Sequence, residues 1–263
     1  MGETMSEPEH CRVERDGRLL TVTINRPDVM NALHPPANAE LAQVFDQFAR
    51  DSDLWVAIIT GAGEKAFSAG NDLKYQAAGN PMTIPDTGFA GLTSRFDLNK
   101  PVIAAVNGIA MGGGFEIALA CDLIIAADTA VFALPEPRVG LAALAGGLHR
   151  LPRQIGLKRA MGMILTGRRV SAAEGKELGF VNDVVPVAEL MAAAKRWAGQ
   201  ILECSPMSIR ASKEAVVHGL DLPELKAAYT SRFPAVMAML KSEDLIEGPL
   251  AFAQKRAPKW KGR

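Results

Sequence analysis

The chain has little cysteine, no excess of either charge, no unbroken apolar run of membrane-spanning length and no basic leader. Its three cysteines (Cys11, Cys121, Cys204) are scattered, with no C-x-x-C and no partner His pattern. That spacing argues against a disulfide framework or a cysteine-based metal site and fits a reducing compartment; no metal is expected. Lys plus Arg number 29 and Asp plus Glu number 29, so no net field recruits nucleic acid or an anionic membrane. The most apolar window, residues 102–121, is interrupted by Asn107, glycines and Glu116, which argues against a membrane span. Residues 1–10, MGETMSEPEH, carry neither the basic and apolar regions of a secretion signal nor the arginines of a transit peptide. A cytoplasmic protein is the expectation. Hydrophobic residues make up 48% and charged ones 22%, the balance of a globular chain with ample core.

The pattern predicts an α/β fold. Residues 12–14 and Leu19–Ile24 flank Asp16-Gly17, a hairpin signal. Pro35-Pro36 opens a helix carrying Leu41, Val44, Phe45 and Phe48 at helical spacing. Residues 55–60 read as a strand, 79–87 as a Gly/Pro/Asn-rich loop and 88–98 as a helix. Val102–Val106, Leu123–Ala127, Val131–Ala133 and residues 180–185 read as strands. Helical periodicity covers residues 146–155, 157–166, 171–178, 187–202 and most of 206–255. Alternation of strand and helix comes first and a helical region last, with no repeat of fixed period.

Three segments carry chemistry. In NKPVIAAVNGIAMGGGFEIALACD (99–122), a strand and a glycine-rich turn lead into a helix at Gly112-Gly113-Gly114, with Glu116 in its first turn. Helix-start N–H groups lack intrahelical partners and sit at the positive end of the dipole, so an oxygen can be held there beside a carboxylate. In KAFSAGNDLK (65–74), the run Ala69-Gly70-Asn71-Asp72 before a helix offers a second N–H, and two donors from separate loops make an oxyanion hole. In FALPEPRVG (132–140), Glu136 stands between two prolines after a strand, with neither helix nor ladder to serve. Each has a plainer reading: a tight connection, a dipole-stabilising Glu, a solvated loop Glu. Their conjunction favours a facing pair of carboxylates. The G-x-G at Gly61 and Gly63 lacks the third glycine and the helix of a nucleotide fingerprint. His34, His149, His218 and Ser68 stand outside any nucleophile motif and read as surface or packing residues, and Asn107 as a turn brace.

SAGNDL, AVNGIAMGGGFE and LPE, in this order and spacing, resemble the crotonase (enoyl-CoA hydratase/isomerase) superfamily from about residue 12 to the C-terminus. GFAGLT (88–93), SEDLIEGPLAFAQKR (242–256) and WKGR resemble its carnitinyl-CoA dehydratase branch. The resemblance implies a spiral of ββα units over residues 1–197, with the CoA-thioester site, and a helical trimerisation region over 198–263. It implies Asn71 and Gly113 as oxyanion donors and Glu116 and Glu136 as acid/bases. Ala69, Asn71, Asp72, Leu73, Lys74 and Gly112 would line the CoA and substrate site. Phe252 and Lys255 would close over the adenine end, often from a neighbouring subunit. The implied activity is hydration of a 2-enoyl-CoA, with CoA carried by the substrate and no other cofactor. The partners implied are an acyl-CoA and further copies of the chain, as a trimer or dimer of trimers.

Three positions depart from the family pattern. Leu144, in the acyl pocket, stands where the carnitine branch commonly has Asp, which favours an uncharged acyl chain. Asp28 replaces a phosphate-contacting Lys, and Val236 an aromatic beside adenine. The alternatives are a carnitinyl-CoA dehydratase, an enoyl-CoA isomerase and a non-catalytic RNA-binding relative. Balanced charge without a Lys/Arg stripe disfavours the last.

Overall fold

The computed structural model describes residues 8–263, so most of the polar stretch 1–10, read as neither secretion signal nor transit peptide, lies outside the described residues. The hairpin forms as β1 (Cys11–Asp16) and β2 (Leu19–Ile24), turning at residues 17–18, and α1 (Pro35–Arg50) follows with a proline in its first turn. Next come β3 (Val56–Gly61), β4 (Ala66–Ser68), α2 (Leu73–Ala77), β5 (Val102–Val106), β6 (Ile109–Met111) and α3 (Gly113–Ala120). The chain continues through β7 (Leu123–Ala127), β8 (Val131–Ala133), α4 (Gly147–Ile155), α5 (Leu157–Thr166), β9 (Val170–Ser171), α6 (Ala172–Leu178) and β10 (Asp183–Val185). Helices α7 (Leu190–Leu202), α8 (Pro206–Gly219), α9 (Leu225–Thr230), α10 (Pro234–Met239) and α11 (Glu243–Ala253) complete it.

Two sheets result. One has the order β1-β2-β3-β5-β7-β10, parallel apart from the hairpin; the other has the order β4-β6-β8-β9. Both β3 and β5 are buried along their whole length, which is why they read as unbroken apolar runs. Three times the chain leaves the first sheet and within a few residues adds a strand to the second: β3 to β4, β5 to β6, β7 to β8. This is the spiral of the expected crotonase-like α/β fold. On one side α1 buries Leu41, Val44, Phe45 and Phe48; α7 packs on β3 and β5. Among the described residues no helix is long and apolar enough to cross a membrane.

The second sheet was not legible in the sequence, because its strands are two or three residues long and β6 lies inside what reads as a glycine turn. The helix expected over residues 88–98 does not form. Gly88 (φ 84°), Ala90 (φ 55°) and Gly91 (φ 68°) adopt left-handed backbone, and only a 3-10 turn at Phe89–Gly91 remains. Buried hydrogen bonds fix this shape: Ala90 N–H donates to Asn38 Oδ1 (2.7 Å) and Phe89 N–H to Thr93 Oγ1 (2.8 Å). The strand expected over 180–185 is shorter, because the Gly175 carbonyl accepts the N–H groups of Phe180 and Val181 and keeps them out of the ladder.

Candidate active site

Beyond β3 the chain crosses to β4 through a loop held by two buried asparagines. Asn107 accepts Gly61 N–H (3.1 Å) and donates to Gly63 O (2.8 Å), while Asn31 donates to Ala62 O (3.0 Å) and Ala66 O (2.7 Å). So the Asn107 side chain braces this crossing, where the sequence suggested a brace for its own turn. Ser68 is fully buried; its hydroxyl donates to Asn31 O (2.8 Å) and accepts Gly70 N–H (3.1 Å). Its role is to shape the loop, in keeping with the absence of a nucleophile elbow. Leu33 N–H donates to Gly70 O (2.7 Å) and Asp72 N–H to Leu33 O (3.0 Å), pinning residues 70–72 from both sides. Asp72 then caps α2 by accepting Tyr75 N–H (3.1 Å) and pairs with Arg26 (3.0 Å). Burial opposes charge on Asp72, but those donors outweigh it and hold its pKa below the ordinary value. Ala69 is half-buried, and Leu73 and Lys74 face solvent beside this loop.

The start of α3 lies against the same loop. Gly112 N–H donates to Ala133 O (2.9 Å), tying the helix start to β8. The next N–H, that of Gly113, opens the helix and has no intrahelical acceptor. Neither it nor Asn71 N–H is satisfied by another group among the described residues. A β-carbon on Gly70 would lie 2.8 Å from Gly113 N, so the two loops touch. The other side of Gly113 is walled by buried Phe89, whose Cε1 would be 2.7 Å from a β-carbon there. The unusual loop 88–93 serves that wall, a role the sequence did not signal beyond its glycines.

Both glutamates converge on this point. Glu116 is 3% exposed, and its Oε1 accepts Gly147 N–H at the start of α4 (2.8 Å), with Ala145 N–H contributing. Burial pushes its pKa up to about 7 against these donors; Glu136 adds to the rise and Arg150 opposes it. The stability contributed by a neutral Glu116 is full below its ordinary value near 4.5 and is lost as pH rises through about 7. Glu136 opens a 3-10 segment, Glu136–Val139, correcting the expectation that it serves no helix. Its Oε1 would lie 3.0 Å from a β-carbon on Gly112, so the carboxylate faces the helix start that carries Gly113. Its Oε2 is buried without a hydrogen-bond partner, and burial raises its pKa. A carboxyl oxygen left unpaired in such a place is costly for folding.

Other expected residues lie elsewhere. Leu144 is 82% exposed and lines a cavity of about 700 Å³ with Phe96, Leu119, Val216 and Leu220, whose walls include neither glutamate. Exposed Phe252 lies in the last turn of α11 and exposed Lys255 two residues beyond its end; the start of this helix is anchored far from the loops within this chain. Asp244 of that helix accepts Ser205 Oγ–H (2.8 Å) and Lys261 N–H (2.7 Å), and Gly262 lies beside Trp55 at the entry to β3. The candidate site is beyond the exit of the same strand, about 20 Å away at ordinary strand rise. His34 packs edge-on to His10 and Tyr75; His149 and His218 line the cavity. Asp28 is exposed in a 3-10 turn, and Val236 is half-buried in α10.

The family model described as enoyl-CoA hydratase/isomerase matches residues 14–263. A carnitinyl-CoA dehydratase from Escherichia coli K12 is 47% identical, covering 98% of this chain and 100% of its own length. Among solved structures, an enoyl-CoA hydratase from Mycobacterium tuberculosis H37Rv superposes with a TM-score of 0.91 at 38% identity, covering 98% of this chain and 100% of that one. A carnitinyl-CoA hydratase from Mycobacterium avium does so with a TM-score of 0.77 at 40% identity, covering 97% and 99%.

Proposed function

The chain belongs to the enoyl-CoA hydratase/isomerase family, and we propose that it is a hydro-lyase adding water reversibly, in syn fashion, to a 2-enoyl-CoA thioester. The observation that carries the reading is the pair of carboxyls from distant segments meeting at a helix start with two unpaired N–H groups. In the proposed reaction, Asn71 N–H and Gly113 N–H hold the thioester oxygen as negative charge builds on it. Ionised Glu116 takes a proton from water as the water oxygen bonds to the β-carbon. Neutral Glu136 gives its proton to the α-carbon, and proton exchange resets the pair. One ionised and one neutral carboxyl is the state that close, desolvated carboxyls favour.

Ala69, Asn71, Asp72, Leu73, Lys74 and Gly112 form the proposed CoA and substrate face, so CoA arrives with the substrate and no other cofactor is required. Phe252 and Lys255 are proposed to close over that face from a neighbouring copy. Exposed Leu220, Leu225, Tyr229, Ile246 and Phe252 support such self-association. Leu144 directly precedes Ala145, whose N–H contributes to holding Glu116, and offers a trimethylammonium group no countercharge. On the resemblance that puts Leu144 in the acyl pocket, the acyl group proposed is an uncharged short or medium chain.

The 47% identity to a carnitinyl-CoA dehydratase favours a second reading, turnover of crotonobetainyl-CoA. Loss of enoyl absorbance with crotonyl-, longer 2-enoyl- and crotonobetainyl-CoA separates the two. The expected result is kcat/KM at least about tenfold higher for the uncharged substrates, the size of effect one unmatched pocket contact brings. Preference for crotonobetainyl-CoA would establish the second reading, and no hydration of any ester would end both.

A further inference from the structure

Arg150 is the fourth residue of α4, the helix whose first N–H holds Glu116. Its guanidinium folds back over its own helix start, where a β-carbon on Gly146 would collide with Nη1. From there Nη2 donates to Thr93 O (2.9 Å), and the group stands 5.7 Å from the centre of the Phe96 ring. Thr93 in turn accepts Phe89 N–H through its hydroxyl, and Phe89 is the wall against Gly113. One side chain thus links the peptide segment that grips Glu116 to the loop that fixes the second face of the oxyanion donor. Among the described residues Arg150 makes no salt bridge. The acidic groups whose fields reach it are Cys121 and Glu116, and burial keeps the Cys121 thiol neutral.

We propose that Arg150 is a positioning residue for hydration, holding the Glu116 cradle and the Phe89 wall of Gly113 as one unit and supplying the positive charge that faces Glu116. The inference rests on the hydratase reading. A neutral brace at this position would hold the turn equally well but would leave ionised Glu116 facing no positive charge. The titratable groups facing Glu116 are Glu136 from the 3-10 segment, neutral when Glu116 is ionised, and Arg150 from α4. Removing the cation therefore favours the neutral form of the base and moves the acid limb of the rate profile to higher pH.

The test compares the parent, Arg150→Gln and Arg150→Lys in crotonyl-CoA hydration across pH, with melting followed by circular dichroism. Arg150→Gln is expected to lose about 10- to 100-fold in kcat, the scale of a misplaced catalytic group, with KM nearly unchanged and the acid limb shifted upward. Arg150→Lys, which keeps charge but not the planar link to Thr93, is expected to return the limb toward its parental position while kcat stays several-fold low. Native kcat with an unmoved limb in Arg150→Gln would overturn the proposal, as would a kcat loss matched by the unfolded fraction alone. If Arg150→Gln does not fold, Arg150→Lys decides: a lowered kcat at parental KM and parental stability supports the proposal, and parental kcat overturns it. A parent inactive on every enoyl-CoA overturns the hydratase reading and this inference together, whereas an active parent with indifferent variants overturns this inference alone.

Discussion

Glu136→Gln is expected to lower kcat for crotonyl-CoA hydration by about three orders of magnitude, within the range that positioned acid/base groups contribute, with KM changed only a few-fold. The substitution keeps shape and volume but leaves no proton that can be given to the α-carbon. Its structural cost should be small, because Glu136 Oε2 has no hydrogen bond to lose. One neutral polar side chain replaces another of the same size and no bond to Oε2 is lost, so the variant should melt close to the parent. Glu116→Gln should lose a similar factor for a different reason. Its amide oxygen can still accept Gly147 N–H, so the fold survives, but it cannot take a proton from water. Steady-state kinetics with retained binding of a saturated acyl-CoA would check both variants. Near-parental rates in either would refute the two-carboxylate scheme.

Gly113→Ala is expected to cost about two orders of magnitude in kcat, comparable to loss of one oxyanion donor. The N–H is retained, so the effect comes from geometry. The new β-carbon would sit 2.7 Å from Phe89 Cε1, and Phe89 is buried in a loop fixed by Asn38 and Thr93. The backbone that carries the ring is fixed and the ring itself is only 4% exposed, with packed neighbours on every turn it could take, so the helix start shifts and the N–H is aimed away from the thioester oxygen. Shortening the ring side in the double variant Gly113→Ala with Phe89→Leu should recover at least about tenfold of the lost rate, because the two changes share one contact. Equal rates for the single and double variants would show that Phe89 does not set the position of this donor.

The parts legible in the sequence were those where local chemistry and tertiary role coincide. Strand Val102–Val106 is apolar on both faces because both faces are covered, and the sequence reports that directly. Gly113, Glu116 and Asn71 were marked by a conflict, flexible or charged residues at the edge of an apolar run, which is where functional demand overrides folding preference. What escaped was built from long-range bonds. The second sheet uses strands too short for periodicity to register. Loop 88–93 has helix-like spacing, yet Asn38, fifty-two residues before Ala90, holds it in left-handed backbone. The grip of Gly147 on Glu116 and the Thr93 bond of Arg150 join residues 31 and 57 apart, beyond any local pattern. The Gly146-Gly147 pair followed by Arg150 was the available sign, a helix start free of side chains with a cation one turn on.

The most direct test of the central claim is a crystal structure of the protein with a bound acyl-CoA such as acetoacetyl-CoA. The account predicts a thioester oxygen about 3 Å from both Asn71 N and Gly113 N, with Glu116 and Glu136 on the side of the α- and β-carbons. A thioester seated elsewhere, or an oxygen bonded to neither N–H, would contradict it.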